Sequence, residues 1–142
     1  MIKMSRLTEY ACMVLVALDK APEAMSADML SQHAGLEKPT VSKILKLLRK
    51  ADLLSSKRGS TGGYSLCKPI EQINLHQVIS AVEGHWGLTD CIHGDSACER
   101  SRHCAISNGL KKVNLLIANA LQGVSIAELR GHQHNIQLIV KS

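Results

Sequence analysis

Residue spacing in this chain predicts a mainly α fold carrying one small β-hairpin. Three observations point there. Apolar residues recur at steps of three and four over four long segments. One stretch, "LLSSKRGSTGGYSLCKP", instead reads as strand, Gly-rich turn and strand. Hydrophobic residues make up 45% of the chain but aromatics only 2%, with no Phe, so the core must be aliphatic. At 142 residues there is room for one compact domain plus an accessory element.

The first helix covers 6–19, with Leu7, Tyr10, Ala11, Val14, Leu15 and Leu18 at helical spacing and Pro22 just beyond its end. Ser26 is a good N-cap for "ADMLSQHA", Asp28 suits the helix dipole, and Gly35 stops that helix. A third helix begins around Lys38–Pro39, since Pro is tolerated in a first turn, and continues to about Ala51. Val41, Ile44, Leu45 and Leu48 share one of its faces, while Ser42, Lys43, Lys46, Arg49 and Lys50 lie on others. Two helices joined by a short Gly-containing turn make a helix-turn-helix candidate, although a plain helical hairpin with solvated lysines fits the same pattern. The hairpin that follows favours the first. Lys57, Arg58 and Gly59 run into its tip, and a basic hairpin directly after a basic helix is the arrangement of a winged helix.

After Pro69, Asn74 and Gln77 have capping-box spacing. Leu75, Val78, Ile79 and Val82 form an apolar stripe that ends at Gly84. Periodicity then stops between His85 and about Cys104, and a stretch that long is usually functional or disordered. It returns in a long helix where Ile106, Leu110, Val113, Ile117 and Leu121 recur, beside Leu116 and Ala120. Pairing with a second copy is the expected use of that face, since duplex-reading modules favour two-fold symmetry. Ser125 and Glu128 cap a short final helix, and the tail from Gly131 carries no strong signal. The expected organisation is a winged helix-turn-helix DNA-binding region at 1–70. A second region at 71–142 holds a linking helix, a cysteine loop at 85–105 and a dimerisation helix at 106–122.

Charge divides along the same line. Residues 1–70 hold eleven Lys/Arg against six Asp/Glu, and residues 71–142 hold six of each. Between 38 and 68 there are eight basic residues and one acid, Asp52. A basic first half beside a neutral second half suggests a polyanion-binding module joined to a regulatory or assembly module. The aromatic pairs that stack on unpaired bases are missing, which favours duplex DNA over single strands or RNA. The apolar start of the chain is broken by Glu9 and Tyr10 and ends at Asp19, too short to span a bilayer. No signal peptide is evident, so a cytoplasmic location with reduced thiols and no membrane partner is expected. Five cysteines, an odd count, also argue against a closed disulfide framework.

Three of those cysteines crowd into "CIHGDSACERSRHC": Cys91, Cys98 and Cys104. Structural zinc favours tighter CxxC pairs, whereas wider spacing can wrap a larger object. Soft thiolates suit an iron–sulfur cluster. Free thiols, or zinc with His93 or His103 as fourth ligand, fit the same residues. Cys12 and Cys67 sit among apolar neighbours and read as small core residues. No acid–base or nucleophile constellation points to an enzyme.

From about Met4 to Leu129 the chain resembles the winged-helix iron–sulfur regulators that include IscR and NsrR. The resemblance rests on "SRLTEYA", "PTVSKILKLLRKADLL", "SSKRGSTGGYSL", "VISAVEG" and the three-cysteine segment. Through "LTDC" the chain is most similar to the short regulators of the SUF cluster-assembly system. This implies a homodimeric transcription factor, usually a repressor, whose binding to a palindromic DNA operator depends on its cluster. The family's cluster cysteines fall on Cys91, Cys98 and Cys104, with the first gap one residue longer than in IscR. Where IscR-like members place a fourth-ligand His, this chain has Ser107. Where NsrR-like members place a carboxylate from the partner's first helix, it has Glu9, which sits in an otherwise apolar helix. The resemblance therefore leaves [2Fe–2S] and [4Fe–4S] both open. The base-reading position falls on Ser42, with Thr40 and Lys43 beside it, and the wing residue entering the minor groove falls on Arg58. The expected DNA-contacting set is Lys38, Thr40, Ser42, Lys43 and Lys46 on the helix, with Arg58 and Gly59 on the wing. The rival readings are a winged-helix protein with structural zinc and no sensing, or an iron–sulfur electron carrier.

Overall fold

The computed structural model describes residues 3–84, 87 and 104–130. Helix α1 (Arg6–Lys20) starts where the Ser5 side chain accepts from the Thr8 N–H at 3.2 Å. Helix α2 (Ala27–Ala34) starts likewise at Ser26, which accepts from the Met29 N–H. It ends at Gly35, whose φ of 65° is left-handed backbone that a residue without Cβ adopts at no steric cost. That turn delivers the chain into α3 (Lys38–Lys50), with Pro39 in its first turn. Val41, Ile44, Leu45 and Leu48 are all fully buried, as their spacing predicts.

Strands β1 (Leu54–Lys57) and β2 (Gly63–Leu66) pair antiparallel, with Leu54 opposite Leu66 and Lys57 opposite Gly63. The hairpin is also tied down at its side. Met25 and Tyr64 exchange backbone hydrogen bonds of 3.0 and 2.8 Å, which anchors the wing to the α1–α2 connection. Only glycine fits at position 63, because a Cβ there would come within 2.6 Å of the Met25 backbone. Register also corrects one expectation. Leu54 and Leu66 point inward, so strand alternation turns Cys67 outward, and it is exposed rather than part of the core.

A 3-10 turn at Ile70–Gln72, which periodicity did not reveal, leads into α4 (Leu75–Glu83). Both halves of the Asn74–Gln77 capping box form, and Gly84 ends the helix. Helix α5 (Ser107–Gln122) and the short α6 (Ile126–Leu129), which has a Ser125–Glu128 capping box, complete the described fold.

One aliphatic cluster joins α1, α2, α3 and the hairpin base to Ile70, Ile73, Val78 and Ile126, so the core runs on past residue 70. The chain re-enters this core after α5. The Leu75 N–H donates to the Val124 carbonyl at 2.9 Å, and the Ile126 N–H donates to the Ile73 carbonyl at 2.8 Å. A β-bridge between Asn74 and Ser125 lies between these bonds. Arg130 adds a clasp, reaching Asp19 of α1 and, at 3.1 Å, Glu71. Helix α5 itself is poorly covered. Leu110, Ile117 and Leu121 are half-buried, but Val113, Leu115 and Leu116 are 44%, 60% and 59% exposed.

Candidate nucleic-acid interface

Helix α3 presents two chemically distinct faces. Its inner stripe is locked into the core, which fixes how the outer face points. On that outer face Lys43, Lys46, Arg49 and Lys50 are exposed, with Thr40 and Ser42 half-buried beside them. Among the described residues no ion pair involves Lys43, Lys46 or Arg58. Their charge is therefore available to phosphates. Lys38 differs: its ammonium lies 2.6 Å from Asp28, and both side chains are well exposed. An exposed pair of this kind is worth about 0–1 kcal/mol, so a phosphate can compete for Lys38.

The wing lies directly after α3 in the chain and packs against it. Lys57, Arg58 and Gly59 are exposed at its turn, and the Gly62 N–H donates to the Gly59 carbonyl at 3.0 Å to close it. The Ser55 and Ser65 hydroxyls sit 2.9 Å apart across the strands. A helix with a basic outer face fits the major groove, about 12 Å wide, while the wing flanks it. Lys57, Arg49 and Lys50 extend the basic surface beyond the expected set. Their sequence signal is the same run of basic residues.

Of the expected metal ligands, Cys91 and Cys98 lie outside the described residues, as do His93 and His103. Cys104 is half-buried, and its carbonyl accepts at 3.3 Å from the N–H of Ser107, the first residue of α5. Ser107, at the position where a His would stand, is buried. Glu9 is exposed, with the exposed Met13 one turn on, so it stands on the solvent face of α1 rather than within an apolar one. Cys12 is buried, as expected of a core residue. Burial pushes its thiol up to about 11, reinforced by the nearby Glu9 carboxylate against a lowering backbone hydrogen bond. It stays protonated at neutral pH and is a poor metal ligand.

A contact between α1 and α4 lies outside what residue spacing predicts. The Thr8 hydroxyl donates to Glu83 Oε1 at 2.6 Å, and the Ser5 N–H donates to the same oxygen at 3.2 Å. Desolvation alone would raise the Glu83 pKa, but these bonds from Thr8 and Ser5 hold it below the ordinary value of 4.5. The available signal was a glutamate at a helix C-terminus, where the dipole disfavours an anion.

A helix-turn-helix with a basic outer helix and an adjoining wing defines a winged-helix DNA-binding regulator. The chain belongs to the Rrf2 family, described as iron-dependent transcriptional regulators, whose family model matches residues 4–132. It is 30% identical to a putative HTH-type transcriptional regulator, YffB, of Lactococcus lactis, over 96% of this chain and 93% of that protein. It is also 30% identical to the HTH-type transcriptional regulator IscR of Aliivibrio salmonicida, over 90% of this chain and 77% of the relative. Among solved structures, CymR, the global cysteine regulator of B. subtilis, superposes with a TM-score of 0.68. That match has 21% identity and covers 91% of this chain and 96% of CymR. T. potens IscR superposes with a TM-score of 0.67 at 22% identity, covering 96% and 92% respectively. These relatives are regulators of transcription, not enzymes. No helix among the described residues is long and apolar enough to cross a membrane.

Proposed function

We propose that the chain works as a homodimeric repressor on a palindromic operator and reports iron–sulfur cluster status or redox stress to cluster-assembly genes. Helix α3 would enter the major groove with Thr40, Ser42 and Lys43 toward base edges. Lys38 and Lys46 would meet phosphates, and Arg58 and Gly59 would approach the adjacent minor groove. The exposed apolar residues of α5 would pair with their copies in a second chain.

The observation that carries the sensing reading is three cysteines within fourteen residues in a member of a family described as iron-dependent. Thiolates of Cys91, Cys98 and Cys104 are soft anionic donors suited to cluster iron. The exposure of Glu9 leaves its carboxylate accessible to a second copy, as a fourth ligand across the dimer. When bound, an iron–sulfur cluster supplies a centre that oxidants and iron shortage alter.

Metal analysis and a visible spectrum of anaerobically purified protein test this reading. Iron and sulfide with a visible charge-transfer band are expected, and both should be lost in Cys91→Ala. Stoichiometric zinc with no visible band would make the site structural and overturn sensing. For the fourth ligand, Glu9→Ala should alter the spectrum. A native spectrum in Glu9→Ala, together with a changed one in His93→Ala or His103→Ala, would place the fourth ligand locally.

A further inference from the structure

Glu83 is the last residue of α4, where the helix dipole works against a negative charge. Its stabilisation comes from another helix. The carboxylate sits at the N-terminus of α1, where the dipole is favourable. One of its oxygens takes both the Thr8 hydroxyl at 2.6 Å and the Ser5 N–H at 3.2 Å. Ser5 Oγ and Thr8 Oγ1 are themselves 3.2 Å apart, so the Ser5 hydroxyl supports the Thr8 hydroxyl that meets the carboxylate. Thr8 is fully buried, one of only two buried polar residues among those described. A buried hydroxyl left without its acceptor is unfavourable, so the contact resists being broken.

Its place in the chain gives the contact a use beyond stability. Gly84 follows Glu83 with φ 79° and ψ −146°, and there the chain leaves α4 for the segment that carries Cys91 and Cys98. On the other side, Glu9 follows Thr8, and α1 runs on through Leu15 and Leu18 into the core it shares with α3. We infer that Glu83 is a positioning residue that latches the base of the cysteine segment to the start of α1, so that a change in that segment is passed to the DNA-reading helix. What sets the latch in motion rests on the proposed sensing function; the latch itself does not.

The test uses the full chain, stripped of metal, in a Cys67→Ser background so that the exposed cysteine does not react. The segment is perturbed by iodoacetamide alkylation of its cysteines, which the buried Cys12 thiol escapes. Amide hydrogen exchange is read at residues 5–9 and 104–110. Affinity is read on a duplex selected from a random pool by the unmodified protein. In the parent, alkylation should speed exchange at 5–9 about tenfold and shift duplex Kd by a comparable factor. In Glu83→Ala and Thr8→Val both responses should fall to within about twofold, and Thr8→Ser, which keeps the hydroxyl, should restore them. If Thr8→Val does not fold, Glu83→Gln, whose carbonyl still accepts one bond, should give an intermediate response. A full response in folded Glu83→Ala overturns the latch and leaves sensing intact. If parental affinity ignores alkylation, sensing fails, and exchange in unalkylated Glu83→Ala decides the latch. Faster exchange at both 5–9 and 104–110 sustains it, and change confined to 83–84 overturns it.

Discussion

In the winged-helix body, Leu15, Ile44, Leu45 and Leu48 are fully buried, whereas in α5 the equally apolar Val113, Leu115 and Leu116 face outward. Both regions carry the same kind of aliphatic stripe. The difference lies in what surrounds them. Helices α1, α2 and α3 cover one another, while α5 has mainly α4 as a neighbour. At 1.5 Å per residue, the 16 residues of α5 extend about 24 Å against about 14 Å for the nine of α4. A shorter neighbour cannot cover the longer helix. The body closes on itself within one chain; α5 offers a surface that a second copy would complete.

The sharpest way to break this contrast is to truncate one residue on each side of it. Leu45→Ala should cost about 2–5 kcal/mol in urea unfolding at any protein concentration. Leu116→Ala should leave dilute protein nearly as stable and make stability concentration-dependent. Equal costs for both in dilute protein would mean that α5 belongs to the same closed core.

Charge placed on α5 asks the same question through assembly. Val113→Asp with Ile117→Asp would bury carboxylates in an apolar seam, so sedimentation should show monomer where the parent shows dimer. Native sedimentation in that variant would move the seam elsewhere.

A smaller effect is expected on the polar surface of the body. Arg58→Ala should weaken duplex binding by about 1–3 kcal/mol if the side chain enters the groove. A loss below that, with a shallower salt dependence, would restrict Arg58 to phosphate contact. Unchanged affinity would remove the wing from the interface.

The smallest effect lies at the seam between the two regions. Hydrogen bonds hold the Glu83 carboxyl below 4.5, so its folded pKa lies under its unfolded one. The stability it contributes is complete above the unfolded pKa and is lost as pH falls through the folded value. The stability gap between parent and Thr8→Val should therefore be constant near neutrality and narrow below about pH 4.5. A gap that does not change with pH would mean that Thr8 acts through packing alone.

Much of the fold was legible because it is local. Ser26, Gly35, Asn74 with Gln77, and Ser125 with Glu128 each act within a few residues of where they stand, and each caps the helix it announces. The outer face of α3 was legible for the same reason, through the 3.6-residue period. What escaped notice depends on distant chain meeting in space. Thr8 and Glu83 are 75 residues apart, and Arg130 meets an Asp19 that is 111 residues away. The Lys38–Asp28 pair needs the angle between two helices. Cys67 was misplaced because composition identifies apolar neighbours, whereas strand register decides which way the side chain turns.

The bridge that pairs 73–75 with 124–126 also has an evolutionary meaning. The chain between Gly84 and Val124 therefore joins two points that are fixed in one core. For a flexible connection, the entropy of joining two fixed points grows only with the logarithm of its length, about 0.6 kcal/mol for each doubling. A change of length between the two fixed points would leave the pairing of 73–75 with 124–126, and with it the DNA-reading body, in place. A lineage could thus alter that connection while keeping how it grips DNA.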